Sequence, residues 1–237
     1  MNLTIDIGNT SIKLGVFDGT EPTEVLIGAA SLEPLLSKYS IAHAIISRTG
    51  AENEIEKRLG EKKIPFIVLS SQLKLPIEIL YQSPETLGSD RIAGSVAATY
   101  LFPEYPILKI DFGTCITYDF VNEQRQYIGG AISPGMMMRF KALNQFTAKL
   151  PLVPLEKTSE IDLIGTDTSA SIRSGVVHGI RQEVEGIIRE YQERYKKLKV
   201  VSTGGDAPWF DALLKSEIFA RPHLVLEGLN RILNYHL

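Results

Sequence analysis

Cysteine is nearly missing from this 237-residue chain, where Cys115 stands alone. One thiol excludes an internal disulfide and any metal site built from several cysteines. The histidines, His43, His178, His223 and His236, are too scattered to suggest zinc ligation by local spacing. Neither sign of charge dominates: a net charge of −3 gives no bulk electrostatic reason to expect nucleic acid or an acidic membrane as partner. No apolar run approaches the ~18 residues that would suggest a membrane-crossing helix. The opening residues Asn2-Leu3-Thr4-Ile5-Asp6 carry no basic, apolar leader pattern, so the expected location is the cytoplasm. Three common signatures are missing too: the Gly-x-x-x-x-Gly-Lys-Ser/Thr loop, the Gly-x-Gly-x-x-Gly fingerprint and the Gly-x-Ser-x-Gly elbow.

What is present is ordinary in bulk and distinctive in pattern. Apolar residues make up 44% and charged residues 22%, the balance of a globular protein with a proper core. Leu3-Thr4-Ile5-Asp6-Ile7-Gly8 returns about half a chain later as Leu108-Lys109-Ile110-Asp111-Phe112-Gly113. Each copy is an apolar strand-like run ending in Asp-x-Gly, followed by small polar residues (Asn9, Thr10 and Ser11; Thr114 and Cys115) and then by more apolar sequence. Each therefore predicts a tight hairpin with a carboxylate at the end of its first strand. Glycine in such a turn lets backbone N–H groups approach an anion, hydroxyls add donors, and the Asp can hold a cation that bridges to the anion. Two such turns would suit a nucleoside triphosphate. A repeat of this length predicts a duplicated domain, with halves at 1–106 and 107–237.

The first half reads as strands followed by helix and strand alternation, an α/β module. Helices are predicted over about 32–39, 51–60 and 90–102, with strands at 42–46 and 64–69. In the second half, Gly129-Gly130-Ala131-Ile132-Ser133-Pro134-Gly135 precedes a helix of about 136–147. Ile172, Val176, Ile180, Val184, Ile187 and Tyr191 form a long stripe at helical spacing, more commonly a core face than an interface. A third glycine turn, Gly204-Gly205-Asp206, follows the strand 200–203 and could let a flat purine lie against backbone. The loop Gly88-Ser89-Asp90-Arg91 has two readings: Asp90 as a helix N-cap, or as a proton acceptor beside a guanidinium that grips an anionic substrate. Thr166-Asp167-Thr168-Ser169 reads as a cap for the helix 170–191, a role compatible with substrate binding.

These segments, in order, are what makes the chain resemble the type III pantothenate kinases of the acetate and sugar kinase/Hsp70/actin superfamily. They are Asp6-Ile7-Gly8-Asn9-Thr10, Gly88-Ser89-Asp90-Arg91, Asp111-Phe112-Gly113-Thr114, Gly129-Gly130 with Pro134-Gly135, Thr168 with Gly175, and Gly204-Gly205-Asp206. The ending Leu226-Glu227-Gly228-Leu229-Asn230 is also family-like, so the resemblance spans the chain. It implies two ribonuclease-H-like (actin-like ATPase) α/β domains related by duplication, with a nucleotide cleft between them. It implies that Asp6, Ile7, Gly8, Asn9, Thr10, Ser11, Ile12, Lys13 and Thr114 bind ATP, with Asp6 near magnesium. Asp90 would be the general base, and Tyr81, Gly88, Ser89, Asp90, Arg91 and Thr168 would bind pantothenate. Asp111 would hold a monovalent cation, potassium or ammonium. A homodimer is implied, with Thr168 reaching pantothenate from the partner subunit, and neither nucleic acid nor membrane is expected as a partner.

Two departures stand out. Ile46-Ser47-Arg48-Thr49-Gly50 replaces a Ser-Ser-Val-Val-Pro-like segment, and Met136-Met137-Met138 is unusual and reads as core or interface packing. Two rivals share the fold: a sugar or acetate kinase, and a nucleotide-binding regulator without catalysis. Asp6, Asp90 and Asp111 together weigh against the regulator, because a binding module needs no base at Asp90.

Overall fold

The computed structural model describes residues 1–8, 10–48, 54–154 and 161–237. In chain order the strands and helices are β1 (Asn2–Ile7), β2 (Ile12–Phe17), β3 (Pro22–Ile27), α1 (Leu32–Lys38), β4 (His43–Arg48), α2 (Glu54–Glu61), β5 (Phe66–Val68), β6 (Glu78–Ile79), α3 (Ser89–Leu101) and β7 (Ile107–Phe112). They continue with β8 (Cys115–Val121), β9 (Gln126–Pro134), α4 (Met136–Gln145), α5 (Thr168–Arg194), β10 (Lys199–Thr203), α6 (Ala207–Asp211), β11 (Phe219–Ala220) and α7 (Leu224–His236). The chain forms two compact units. One comprises Met1–Ile107, Asp119–Gly129 and His223–Leu237, and the other Leu108–Tyr118 and Gly130–Pro222.

The first unit is built on a sheet ordered β3-β2-β1-β4-β5. The β1–β2–β3 pairs are antiparallel, and β4 and β5 add in parallel beside β1. Alternation along β4 shows why its apolar run is a strand: Ala44 and Ile46 meet Leu32, Leu35, Ile55 and Leu59, while Ile45 faces Ile92, Val96 and Leu229. A strand covered on both faces needs apolar side chains on both, so its sequence does not alternate with polar residues. α3 and α7 pack closely: a Cβ built on Gly228 would stand 1.8 Å from the Ala93 carbonyl oxygen, so only glycine fits there. The Asn2 side-chain amide donates to Asn230 Oδ1 (3.0 Å) and to Asn234 Oδ1 (2.8 Å), tying the first strand to the last helix.

The second sheet is ordered β11-β10-β7-β8-β9-β6, and β8 and β9 each contribute residues to both units. Counted from β7, its first five strands lie in the order third, second, first, fourth, fifth, the same as in the first sheet. That shared order is the ribonuclease-H-like pattern used twice, and Asp6 and Asp111 fall near the ends of the two equivalent first strands. In the second unit the α5 stripe packs inward: Ile172, Val176, Ile180, Val184 and Ile188 are core, with Ile187 and Tyr191 at its edge. Asp167 caps this helix, its side chain accepting the Ala170 N–H at 2.8 Å. Met136 is buried in the same core, whereas Met137 and Met138 are exposed.

Candidate active site

In the first unit, Asp6 sits one residue from the end of β1, in register with Lys13 on β2 and Ser47 on β4. The turn that follows is closed by the Gly8 N–H donating to the Ser11 carbonyl at 3.1 Å. Thr10 and Ser11 are exposed, and Ile7, Ile12 and Lys13 are half-buried. Asn9 lies outside the described residues, as do Thr49 and Gly50 of the unusual 46–50 segment.

Ser47 and Asp6 are register partners on parallel strands, so their side chains leave the same face of the sheet. On that face the Ser47 hydroxyl lies 2.9 Å from the Ser89 hydroxyl, and Ser89 Oγ also donates to the Arg48 carbonyl at 3.3 Å. Ser89 opens α3, and Asp90 is next. The two serines therefore bring the head of α3 to the strand end that carries Asp6. The N-cap of α3 is Gly88, not Asp90. Asp90 occupies the first turn instead, where a carboxylate meets the positive end of the helix dipole and its Oδ1 accepts the Arg91 N–H at 2.8 Å. Gly88 leaves room for that carboxylate, since a Cβ there would stand 2.5 Å from Asp90 Oδ1.

Arg91 turns inward. It is 7% exposed, and its Nε donates to Oδ1 of the fully buried Asp119 at 2.7 Å. The Tyr127 hydroxyl donates to the same oxygen at 2.6 Å. Burial by itself would lower the Arg91 pKa; the Asp119 carboxylate more than offsets this, and the guanidinium is held above its ordinary value. Burial, reinforced by the Asp119 charge, pushes the Tyr127 hydroxyl far up, so it remains a donor. Tyr81 stands edge-on to Tyr127, with ring centres 6.0 Å apart, and packs over Gly129, where a Cβ would come within 3.5 Å of its ring. The structure thus gathers Tyr81 and Arg91 of the sequence-predicted substrate set around a carboxylate the sequence reading did not single out. A charge inside the apolar run Tyr118-Asp119-Phe120-Val121 was the available signal, because buried carboxylates are rare unless paired.

In the second unit, glycines crowd the turn that follows Asp111. The Gly113 N–H donates to the Cys115 carbonyl, and the Gly135 N–H to the Thr114 carbonyl, each at 3.1 Å. A Cβ on Gly135 would lie 2.4 Å from the carbonyl oxygens of both Gly113 and Thr114. Gly204, at φ +101°, would place a Cβ 2.5 Å from Asp111 Oδ1 and from the Phe112 carbonyl, which also accepts the Asp206 N–H at 3.0 Å. Gly204, far away in sequence, thus closes on the half-buried Asp111 carboxylate, while Gly135 packs on the backbone of the turn that follows it and Thr114 is exposed beside it.

Behind this turn, Glu183 on α5 accepts hydrogen bonds from Ser133 (2.6 Å), Tyr118 (2.9 Å) and Arg139 (2.6 Å). Arg139 Nε also holds the Pro134 carbonyl at 2.8 Å, next to Gly135. Burial would raise the Glu183 pKa, but these donors keep it below the usual carboxylate value. Thr168 is the exposed first residue of α5.

Among the described residues no cluster of three or more His, Cys, Asp or Glu side chains could cage a metal ion. No helix among them is long and apolar enough to cross a membrane. Strand-end carboxylates such as Asp6 and Asp111 suit a hard cation that draws its other ligands from phosphate and water.

Comparison with known proteins agrees with this picture. The family model described as type III pantothenate kinase matches residues 2–190. A type III pantothenate kinase from Bacteroides fragilis is 48% identical over 241 aligned positions, covering 100% of this chain and 98% of that protein. Among solved structures, a Campylobacter jejuni protein described as of the Baf family superposes with a TM-score of 0.63 at 20% identity, covering 99% of this chain and 98% of that one. A glucokinase from an Antarctic psychrotroph gives 0.54 at 12% identity, with 98% of each chain covered, a likeness of fold alone. With a family model spanning most of its length and full-length relatives at this identity, the chain belongs to the type III pantothenate kinase family.

Proposed function

We propose that this protein transfers the γ-phosphoryl group of ATP to the primary hydroxyl of pantothenate, giving 4'-phosphopantothenate in the first step of coenzyme A biosynthesis. The observation that carries this reading is the position of Asp90 at the head of α3, drawn by the Ser47–Ser89 pair to the strand end that bears Asp6. Phosphoryl transfer asks a protein mainly to position groups and to neutralise charge. Asp90 orients the acceptor hydroxyl and takes its proton. Backbone donors of residues 6–13, together with Thr10, Ser11 and Lys13, hold ATP phosphates, and Thr114, exposed on its own turn, is a further ATP-binding residue. Asp6 holds magnesium, which when bound offsets the charge of the β- and γ-phosphates. Asp111 would hold a monovalent cation, potassium or ammonium, at the glycine-crowded turn.

Tyr81 and residues 88–91 take pantothenate, with the Arg91 guanidinium on its carboxylate, and Thr168 reaches the acceptor of a partner subunit in a homodimer. Ile132, Phe146, Leu163 and Ile164, all more than half exposed in the second unit, support self-association. A monomeric mass by light scattering, with activity intact, would remove the dimer from this reading. The halves 1–106 and 107–237 are proposed as the duplicated units of descent, supported by the matched strand orders. The reading places the enzyme in the cytoplasm and gives it no nucleic-acid or membrane partner. The deciding experiment is formation of phosphopantothenate by the purified protein with ATP and magnesium. ATP turnover on sugars or acetate but not on pantothenate would overturn the substrate, and nucleotide binding without turnover would overturn the kinase.

A further inference from the structure

We propose that Asp119, with Tyr127 behind it, is the positioning residue through which Arg91 recognises the acceptor's carboxylate. This rests on the pantothenate reading above and extends it to a residue deep in the unit that touches no substrate itself.

A guanidinium is a rigid planar fork with five N–H donors, so holding one nitrogen constrains the direction of the other two. Asp119 holds Arg91 by Nε alone, in one contact of 2.7 Å. Neither terminal nitrogen of Arg91 has an acceptor among the described residues, and neither is a fully enclosed orphan. A pair serving only to neutralise a buried charge would gain most from two parallel bonds to the carboxylate. This pair instead spends the inner nitrogen and leaves the outer fork unbonded.

The holder is itself held. Asp119 and Tyr127 are both fully buried, and the Tyr127 hydroxyl fixes the same carboxylate oxygen that meets Arg91. Tyr127 is buttressed in turn by Tyr81, a residue of the expected acceptor pocket. Because Arg91 directly follows Asp90 on the first turn of α3, the direction of the fork is set from the same turn that carries the base. An acceptor with a carboxylate at one end and a hydroxyl at the other would be placed by Arg91 and activated by Asp90. Asp119 thereby acts on which molecules are chosen, and only secondarily on how fast they react.

The test compares pantothenate with its alcohol analogue, in which the carboxylate is replaced by a CH2OH group and the phosphorylated hydroxyl is unchanged. In Asp119→Asn, KM for pantothenate should rise roughly ten- to a hundredfold, the loss of one charge-assisted bond to a binding group. For the alcohol analogue, kcat/KM should change less than about threefold, because no fork is needed to hold it. Preference for pantothenate should therefore collapse. Tyr127→Phe leaves the ion pair in place and should shift the same ratio in the same direction by about threefold, less than Asp119→Asn because the lost bond acts on Arg91 only through the Asp119 carboxylate. Equal loss on both acceptors, or an unchanged ratio in variants with native circular dichroism and cooperative melting, would overturn the proposal. Should Asp119→Asn fail to fold, the Tyr127→Phe ratio decides alone, and no shift overturns it. Absence of wild-type turnover on pantothenate would instead overturn the substrate reading, which the wild-type arm reports separately.

Discussion

Replacing Asp90 by Asn separates a catalytic carboxylate from a structural one. The side chain keeps its size, and its amide oxygen can still accept the Arg91 N–H that Asp90 Oδ1 now accepts at 2.8 Å. Gly88 leaves the same space, so the local fold should stand. What is lost structurally is one negative charge in the first turn of α3, about 0.3–1 kcal/mol of helix-dipole interaction. For a protein of this size that is a fall in Tm of no more than about 4 °C. The loss of a positioned proton acceptor is expected to cost roughly 10²–10⁴-fold in kcat. The low end is favoured, because a loose phosphoryl-transfer transition state needs little early deprotonation. The assay is phosphopantothenate formation under saturating ATP and pantothenate, with nucleotide affinity measured separately and a thermal melt alongside. Near-normal turnover in a normally folded variant would refute the role of Asp90. Lost nucleotide binding would show that the substitution disturbed more than the acceptor site.

Gly204→Ala would press a methyl group to within 2.5 Å of Asp111 Oδ1 and the Phe112 carbonyl at a φ of +101°. The strain, about 1–3 kcal/mol, should lower Tm by several degrees and raise KM for ATP; a scanning-fluorimetry melt and an ATP titration that both match wild type would remove the close approach. A sodium-only buffer should support poor turnover compared with potassium or ammonium, and full turnover in sodium would cancel the cation role given to Asp111. Glu183 has a depressed pKa in the folded state. Its stabilisation is therefore present above the unfolded carboxylate value of about 4.3 and is lost as pH falls through the lower folded value. Between pH 5 and 3 the wild-type Tm should fall more steeply than that of Glu183→Gln; parallel slopes would show that Glu183 is not the titrating group.

The repeated Asp-x-Gly run was legible because strand, carboxylate and turn are neighbours in sequence, and both copies are found near the end of a first strand. The long helix was legible for the same reason, its core face spelled out by side chains three and four apart. What escaped depends on pairings between distant residues. The run Gly129-Gly130-Ala131-Ile132-Ser133-Pro134 carries glycine and proline, poor strand formers, and predicts no strand, yet it is the latter part of β9. Arg91 reads as a guanidinium that grips an anionic substrate, and its second engagement, with Asp119 28 positions further on, was not legible. Of the two readings of Asp90, cap or proton acceptor, the cap falls away because that position is taken by Gly88. For Arg91 the local reading lacked a partner from elsewhere in the chain.

Residues His223–Leu237 belong to the same compact unit as Met1–Ile107, and α7 seals against α3 at Gly228 while holding Asn2. The ribosome makes β1 long before α7. At about 5–20 residues per second, β1 emerges on the order of 10–40 s before the helix that covers it. Throughout that interval the apolar faces of Ile92, Val96 and Ile45, which α7 helps to bury, lack part of their cover. The second unit, Leu108–Tyr118 and Gly130–Pro222, is by contrast complete in sequence before α7 is made. The unit that begins first is therefore the one completed last, and it waits for its own closing helix while the other unit is made in between.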